Sequence, residues 1–190
     1  MTDSLLQEQR EKIDAIDSQI RELLFKRLDC SYKVAQAKQE EGSTTVYRAD
    51  REAQILERLG ADVPDDRKAE YLAVVRKIME ASRMYQYGLL FDWNDNAFAL
   101  VKGHELASCA GEHVLVRLSR PNKPNAMAAL LSMVGDYGFD MERMELVEAD
   151  ENHVVFDLLI AGDISTEHMQ KLFFQLSKES DSFQILENRA

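Results

Sequence analysis

QREKIDAIDSQIRELLFKR (9–27) places apolar side chains at Ile13, Ile16, Ile20 and Leu23, and the same stepping continues through Arg27, Cys30, Val34 and Ala37. Alternating steps of three and four residues put these positions on one stripe of an α-helix, the a/d seam of a helix packed on a partner. Neither Gly nor Pro interrupts residues 4–41, so one long amphipathic helix is predicted there. Arg27 is the exception in the stripe. An unpaired charge at a packed seam is expensive, because the guanidinium loses its hydration without a substitute. Either a buried acid answers it, or the helices hold a negatively charged ligand.

Outward from this stretch, EGSTT (41–45) reads as a loop, and a short helix is predicted over 49–60, with Gly60 as its stop. A second loop, ADVPDD (61–66), offers Asp65 or Asp66 as an N-cap. A third helix is predicted to about residue 92, because Leu72, Val75, Met79, Ser82, Gln86, Leu89 and Trp93 repeat the helical step. Residues 94–111 are mixed and read as a linker with one helical turn. Beyond them the period changes. Strands are predicted at 113–119, 139–149, 154–162 and 182–188, and helices at 126–138, closing on Gly138, and 165–179, capped by Ser165. The order β-α-β-β-α-β is that of the ferredoxin-like split unit. The expected organisation is a helical domain over 1–93, a linker over 94–111 and an α+β domain over 112–190.

Composition narrows the function classes. The chain has 190 residues, 45% hydrophobic and 30% charged, as ordinary globular proteins do. No apolar run reaches the roughly 20 residues of a membrane span, and no signal-like segment opens the chain. Cys30 and Cys109 are the only cysteines, which gives no disulfide framework and suits a reducing, cytoplasmic setting. Net charge is −11, which argues against nucleic-acid binding. Residues 1–91 carry 15 Lys and Arg against 17 Asp and Glu, a net of −2, whereas residues 92–190 carry 8 against 17, a net of −9. Two units with separate roles are expected.

The helical half repeatedly sets polar side chains where apolar ones belong. Lys38 follows Arg27 by 11 residues, which leaves it only about 20° away around an ideal helix. Glu52 precedes Ile55 and Leu59 by three and seven, so it points to the inner side of the short helix. Ser82 and Gln86 share a face of the third helix. Each has a bland explanation: Lys38 as a solvated lysine, Glu52 paired with Arg51, Ser82 bonded to its own helix, Gln86 fixing register. Five together, with a cationic balance, describe a pocket for a small, oxygen-rich anion. The four histidines, His104, His113, His153 and His168, lie in the acidic half without metal-ligand spacing. Neither a phosphate loop nor a nucleophile elbow is present. Catalysis here would rest on positioning and electrostatic preorganisation.

The stretches 9–27, VAQAK (34–38), VYRADREAQILERL (46–59) and IMEASRMYQ (78–86) together resemble the all-helical class of chorismate mutase, over roughly residues 5–92. The resemblance implies three helices per chain that intertwine with those of a second copy, giving a homodimer or higher homo-oligomer with two active sites. It implies a cofactor-free Claisen rearrangement of chorismate to prephenate, in the shikimate-derived synthesis of phenylalanine and tyrosine. Carried over residue by residue, Arg27 binds one substrate carboxylate and Arg10 of the second copy binds the other. Lys38 and Gln86 hydrogen-bond the ether oxygen, Glu52 holds the ring hydroxyl, and Arg51 and Ser82 complete the lining. Arg10 precedes Arg27 by 17 residues and stands about 100° off its face, as service to a different pocket requires. Relatives carry V-x-D-x-x-R-E where this chain has Val46-Tyr47-Arg48-Ala49-Asp50-Arg51-Glu52, so Arg48 replaces an acid near the substrate hydroxyl.

Residues 113–189 resemble an ACT domain, the amino-acid-sensing module that ends bifunctional chorismate mutase–prephenate dehydratases. About 20 residues separate the two units, too few for a further domain, so no dehydratase activity is expected. The relatives' effector site uses a G-A-L turn and an E-S-R-P segment. Here Asn125-Ala126-Met127 and Glu145-Leu146-Val147-Glu148 stand at those places, retaining Ala126 and Glu145. These are the candidate contacts for an aromatic amino-acid effector. Two other readings are a non-catalytic, ligand-sensing regulatory dimer and an isochorismate-pyruvate lyase.

Overall fold

In a computed structural model, residues 2–109, 111–123 and 126–189 are described, with the side chains of Thr2 and Asp3 excepted. The helical half holds α1 (Thr2–Glu40), α2 (Ala49–Gly60) and α3 (Asp65–Asp92), and α1 alone extends about 58 Å at 1.5 Å per residue. Helix α1 ends where Gly42, at φ 68°, takes the left-handed conformation that a Cβ would resist. Ser43 N–H then donates to Lys38 O and Gly42 N–H to Gln39 O, a Schellman closure. The turn it makes carries the chain back beside Lys38 and into α2.

Helix α3 runs alongside α1 in the same direction, with Arg27 beside Ile78 and Ser31 beside Ser82, and covers one flank of it. The flank consists of Leu24 and Leu28, half-buried, and Ser31 and Ala35, buried. This is one helical step away from the predicted seam. Ile13, Ile16, Ile20 and Leu23 are more than half exposed, and Val34 is 48% exposed. Helix α1 therefore carries two adjacent apolar stripes, and only the second has a partner within the chain.

Two predicted helix ends take different forms. Pro64, not an aspartate, is the N-cap residue of α3, and Asp65 and Asp66 lie in the first turn, where their charge favours the positive end of the helix. Gly60 is the last residue of α2 and is buried. A Cβ there would meet Lys68 Cε at 3.3 Å and Leu72 at 3.4 Å, so close packing of α2 on α3 explains the glycine.

The second half is a four-stranded antiparallel sheet in the order β2-β3-β1-β4, with β1 (His113–Pro121), β2 (Met141–Ala149), β3 (His153–Ala161) and β4 (Ser182–Arg189). Helices α4 (Ala126–Asp136) and α5 (Glu167–Glu179) cover one face. Rows such as Val116↔Leu158 and Leu118↔Phe156 fill the core beneath them. The cap of α5 is Thr166, whose hydroxyl accepts from Met169 N–H, rather than Ser165. The segment read as a linker packs down instead of hanging free. It forms 3-10 turns at Phe98–Leu100 and His104–Ser108, buries Ala97 and Val101, and accepts a hydrogen bond at Lys102 O from Ile185 N–H.

Helix α3 belongs to both halves. Val75, Met79, Ser82 and Gln86 are buried on its inner side, whereas Tyr87 and Leu90 enter the core of the sheet half. Phe174 of α5 meets Tyr87 and Phe91 edge-on, with centroids at 6.2 and 5.7 Å. Ion pairs Lys77–Asp136 (2.5 Å), Arg83–Glu179 (3.0 Å) and Lys171–Asp92 (2.6 Å) fasten α3 to α4 and α5. Among the described residues no helix is long and apolar enough to cross a membrane.

Candidate active site

Between α1, α2 and α3 opens a cleft of about 990 Å³. Helix α1 supplies Arg27 and Lys38, the entry and first turns of α2 supply Arg48, Arg51 and Glu52, and α3 supplies Ser82 and Gln86. Every candidate pocket residue of the helical half except Arg10 lies on this one wall. Arg10 sits on exposed helix, about 25 Å along α1 from Arg27, and does not line the cleft of its own chain.

Two lining residues escaped the sequence reading. Ser31 lies one turn after Arg27, and its Oγ meets Ser82 Oγ at 2.6 Å. It stands on the second stripe of α1, which the seam through Cys30 and Val34 bypassed. Arg83 was passed over because it flanks the Ser82–Gln86 face. Its guanidinium pairs with Glu52 through Nη1, with Glu179 through Nε, and lies over the Tyr47 ring at 4.9 Å.

Arg27 has no carboxylate within ion-pair distance among the described residues. Its Nη1 donates only to Ile78 O, at 3.4 Å, and the side chain is open to solvent in the single chain. Lys38 Nζ donates to Thr45 O across the Gly42 turn. Burial, then the nearby Arg48 and Arg51 charges, hold the Lys38 ammonium below the usual lysine range, with Glu41 opposing. Arg48 grips Asp50 with Nε and Nη2, at 3.1 and 2.9 Å, so its charge is already answered at the rim. Gln86 Nε2 donates to Ser82 O at 3.2 Å, while Gln86 Oε1 is buried without a partner among the described residues.

The loop that carries Val46 and Tyr47 into α2 is pinned from below. Tyr87 Oη accepts from Val46 N–H at 3.3 Å and from Tyr47 N–H at 3.2 Å. Burial pushes the Tyr87 hydroxyl well above the usual tyrosine range. Five cationic side chains, Arg27, Lys38, Arg48, Arg51 and Arg83, thus face one carboxylate, Glu52, in a chain of net charge −11. Such a wall suits a multiply charged anion with additional oxygen atoms.

Among the described residues of the sheet half, the candidate effector contacts Ala126, Met127 and Glu145 are not brought together. Asn125 lies outside the described residues. Ala126 and Met127 open α4 on the helix-covered side, whereas Glu145 pairs with Asp157 on the opposite face, beside Arg117.

Three helices around a cationic cleft, with polar groups directed inward from each, make a scaffold suited to a small anion. The family model of chorismate mutase type II, a family of isomerases, matches residues 9–87, the stretch that holds most of the three helices of the helical half. It is followed by the antiparallel sheet with its helices. No curated protein matches the chain.

Proposed function

We propose that the cleft converts chorismate to prephenate by a Claisen rearrangement, for the synthesis of phenylalanine and tyrosine. The convergence of Arg27, Lys38, Glu52, Ser82 and Gln86 on one cleft carries this reading. Chorismate brings two carboxylates, a ring hydroxyl and an ether oxygen. Arg27, without an acidic partner among the described residues, takes one carboxylate. Lys38 donates to the ether oxygen, where negative charge grows as the C–O bond breaks and the new C–C bond forms. Gln86, on the cleft wall, donates from Nε2 to the same oxygen once its amide swings away from Ser82 O. Glu52, held by Arg83, accepts from the ring hydroxyl. With Arg48 tied to Asp50, its backbone is the part of that residue offered to the hydroxyl.

The other carboxylate falls to Arg10 of a second copy, whose α1 covers the exposed stripe Ile13, Ile16, Ile20 and Leu23. The unit at 112–190 is read as a ferredoxin-like ACT domain that regulates or assembles the enzyme, and the strand order supports this.

Loss of chorismate absorbance in the presence of pure protein tests the proposal. Gln86→Glu is expected to lose turnover at neutral pH and recover it in acid, where the carboxylic acid can donate. Turnover by this variant unchanged at neutral pH removes Gln86 from the site. No rate above the uncatalysed reaction in the unmodified protein leaves the non-catalytic, ligand-sensing dimer as the reading.

A further inference from the structure

Residues 43–48 form neither helix nor strand, yet Val46 and Arg48 line the cleft. Such a segment keeps one position only where neighbouring groups take up its backbone bonds. Two side chains do so. Lys38 Nζ of α1 donates to Thr45 O, and Tyr87 Oη of α3 accepts from Val46 N–H at 3.3 Å and Tyr47 N–H at 3.2 Å. The two holds differ. Lys38 stands on the cleft wall and, in the proposed reaction, divides its donors between Thr45 O and the ether oxygen. Tyr87 stands behind the segment, outside the cleft lining, so a bound substrate makes no claim on its oxygen.

The sheet half fixes Tyr87 in turn. The side chain is wholly buried in the sheet core, its ring meets Phe174 edge-on, and Val46 packs against the same core. Burial, then the Glu179 charge, hold the hydroxyl above the usual tyrosine range, so near neutral pH it stays an un-ionised O–H with lone pairs for both amides. A phenylalanine ring would fill this place equally well. The oxygen's hydrogen-bond partners among the described residues are these two amides, both in the wall that leads to Arg48.

We propose that Tyr87 is a positioning residue for the cleft: from the core of the sheet half, its hydroxyl sets the 45–48 backbone where the ring hydroxyl of the substrate is received. This rests on the chorismate mutase reading of that cleft. The ring hydroxyl keeps its bonds while the C–O bond breaks elsewhere. Placement of the segment therefore acts on ground state and transition state alike, and shows in KM more than in kcat.

Kinetics of Tyr87→Phe with chorismate, and with the chorismate analogue that lacks the ring hydroxyl, test this. The variant should lose about tenfold in kcat/KM toward chorismate, mostly through KM, and stay within about twofold of the unmodified protein toward the analogue. A hydroxyl that only supports the fold would lower both alike. That outcome, or unchanged kinetics toward chorismate, overturns the proposal. Hydrogen exchange of the full chain gives a readout without turnover. The Val46 and Tyr47 amides should be protected in the unmodified protein and exchange about tenfold faster or more in Tyr87→Phe, while α3 stays protected. Equal exchange in the two proteins overturns the proposal. Should the variant fail to fold, free exchange of both amides in the unmodified protein overturns it, and protection supports it. Absence of turnover in the unmodified protein sinks the mutase reading instead, and exchange then decides by itself whether Tyr87 holds the segment.

Discussion

Arg83 connects two carboxylates that belong to different halves. Glu179 is almost wholly buried, at 1% side-chain exposure, and burial holds its carboxyl above the usual carboxylate range, with Arg83 the strongest opposing influence. Arg83→Met removes that influence, and an uncompensated buried charge costs about 3 kcal/mol or more. The pH dependence follows from the sign of the shift. With its folded pKa raised further, Glu179 takes up a proton in the folded state before the unfolded chain does, so the variant regains stability as pH falls. Thermal unfolding from neutral to acidic pH should show the gap to the unmodified protein narrowing; a constant gap means that Glu179 is not the group responsible. In turnover, Arg83→Met frees the Glu52 carboxylate. A loss of about tenfold in kcat/KM, partly restored by Arg83→Lys, is expected of a positioning residue. Lys38 titrates in the opposite sense. Its lowered pKa brings the alkaline limb of kcat/KM below the range of an ordinary lysine, because the neutral amine cannot pair with the developing oxyanion.

At the level of elements, α1 shows what periodicity conveys and what it omits. The stripe through Ile13, Ile16, Ile20 and Leu23 establishes a helix and an apolar face, but not which neighbour covers that face. Within the chain α3 covers Ser31 and Ala35 instead, because the buried flank of α1 lies one helical step round. For α3 the reading and the structure coincide at Val75, Met79, Ser82 and Gln86, since its intrachain partner lies along the predicted seam. Arg27, Ser82 and Gln86 were legible because they interrupted apolar stripes, whereas the roles of Arg48 and Arg51 came only with the family resemblance. Arg83 interrupts none, and its partners Glu52 and Glu179 lie 31 and 96 residues away, so only the fold reveals it. Likewise, Tyr87 reads as an ordinary core aromatic until its hydroxyl is found beneath Val46 and Tyr47. On the proposed docking of a second copy at the exposed stripe, a charge there, as in Ile20→Glu, is expected to yield monomers with little turnover and an intact helical spectrum. Sedimentation velocity of the unmodified protein and the variant checks this; equal sedimentation of the two would remove the stripe as the docking surface.

For the whole molecule, the consequential feature is that α3 lends one side to each half. Tyr87 and Leu90 are buried at 0% and 1% exposure in the sheet half, while Met79 and Ser82, within the same few turns, close the helical half. A chain ending near residue 93 should lose stability and expose apolar surface, read as dye binding and a lower melting temperature. The two halves are consequently expected to melt together. Calorimetry of the full chain should record a single transition whose van't Hoff and calorimetric enthalpies agree. Amides of α3 and α5 should then exchange with solvent only through global opening, as one foldon. Fraying of the sheet would cost the helical cleft its floor, so any change in how tightly the sheet holds α3 alters how often the cleft is intact.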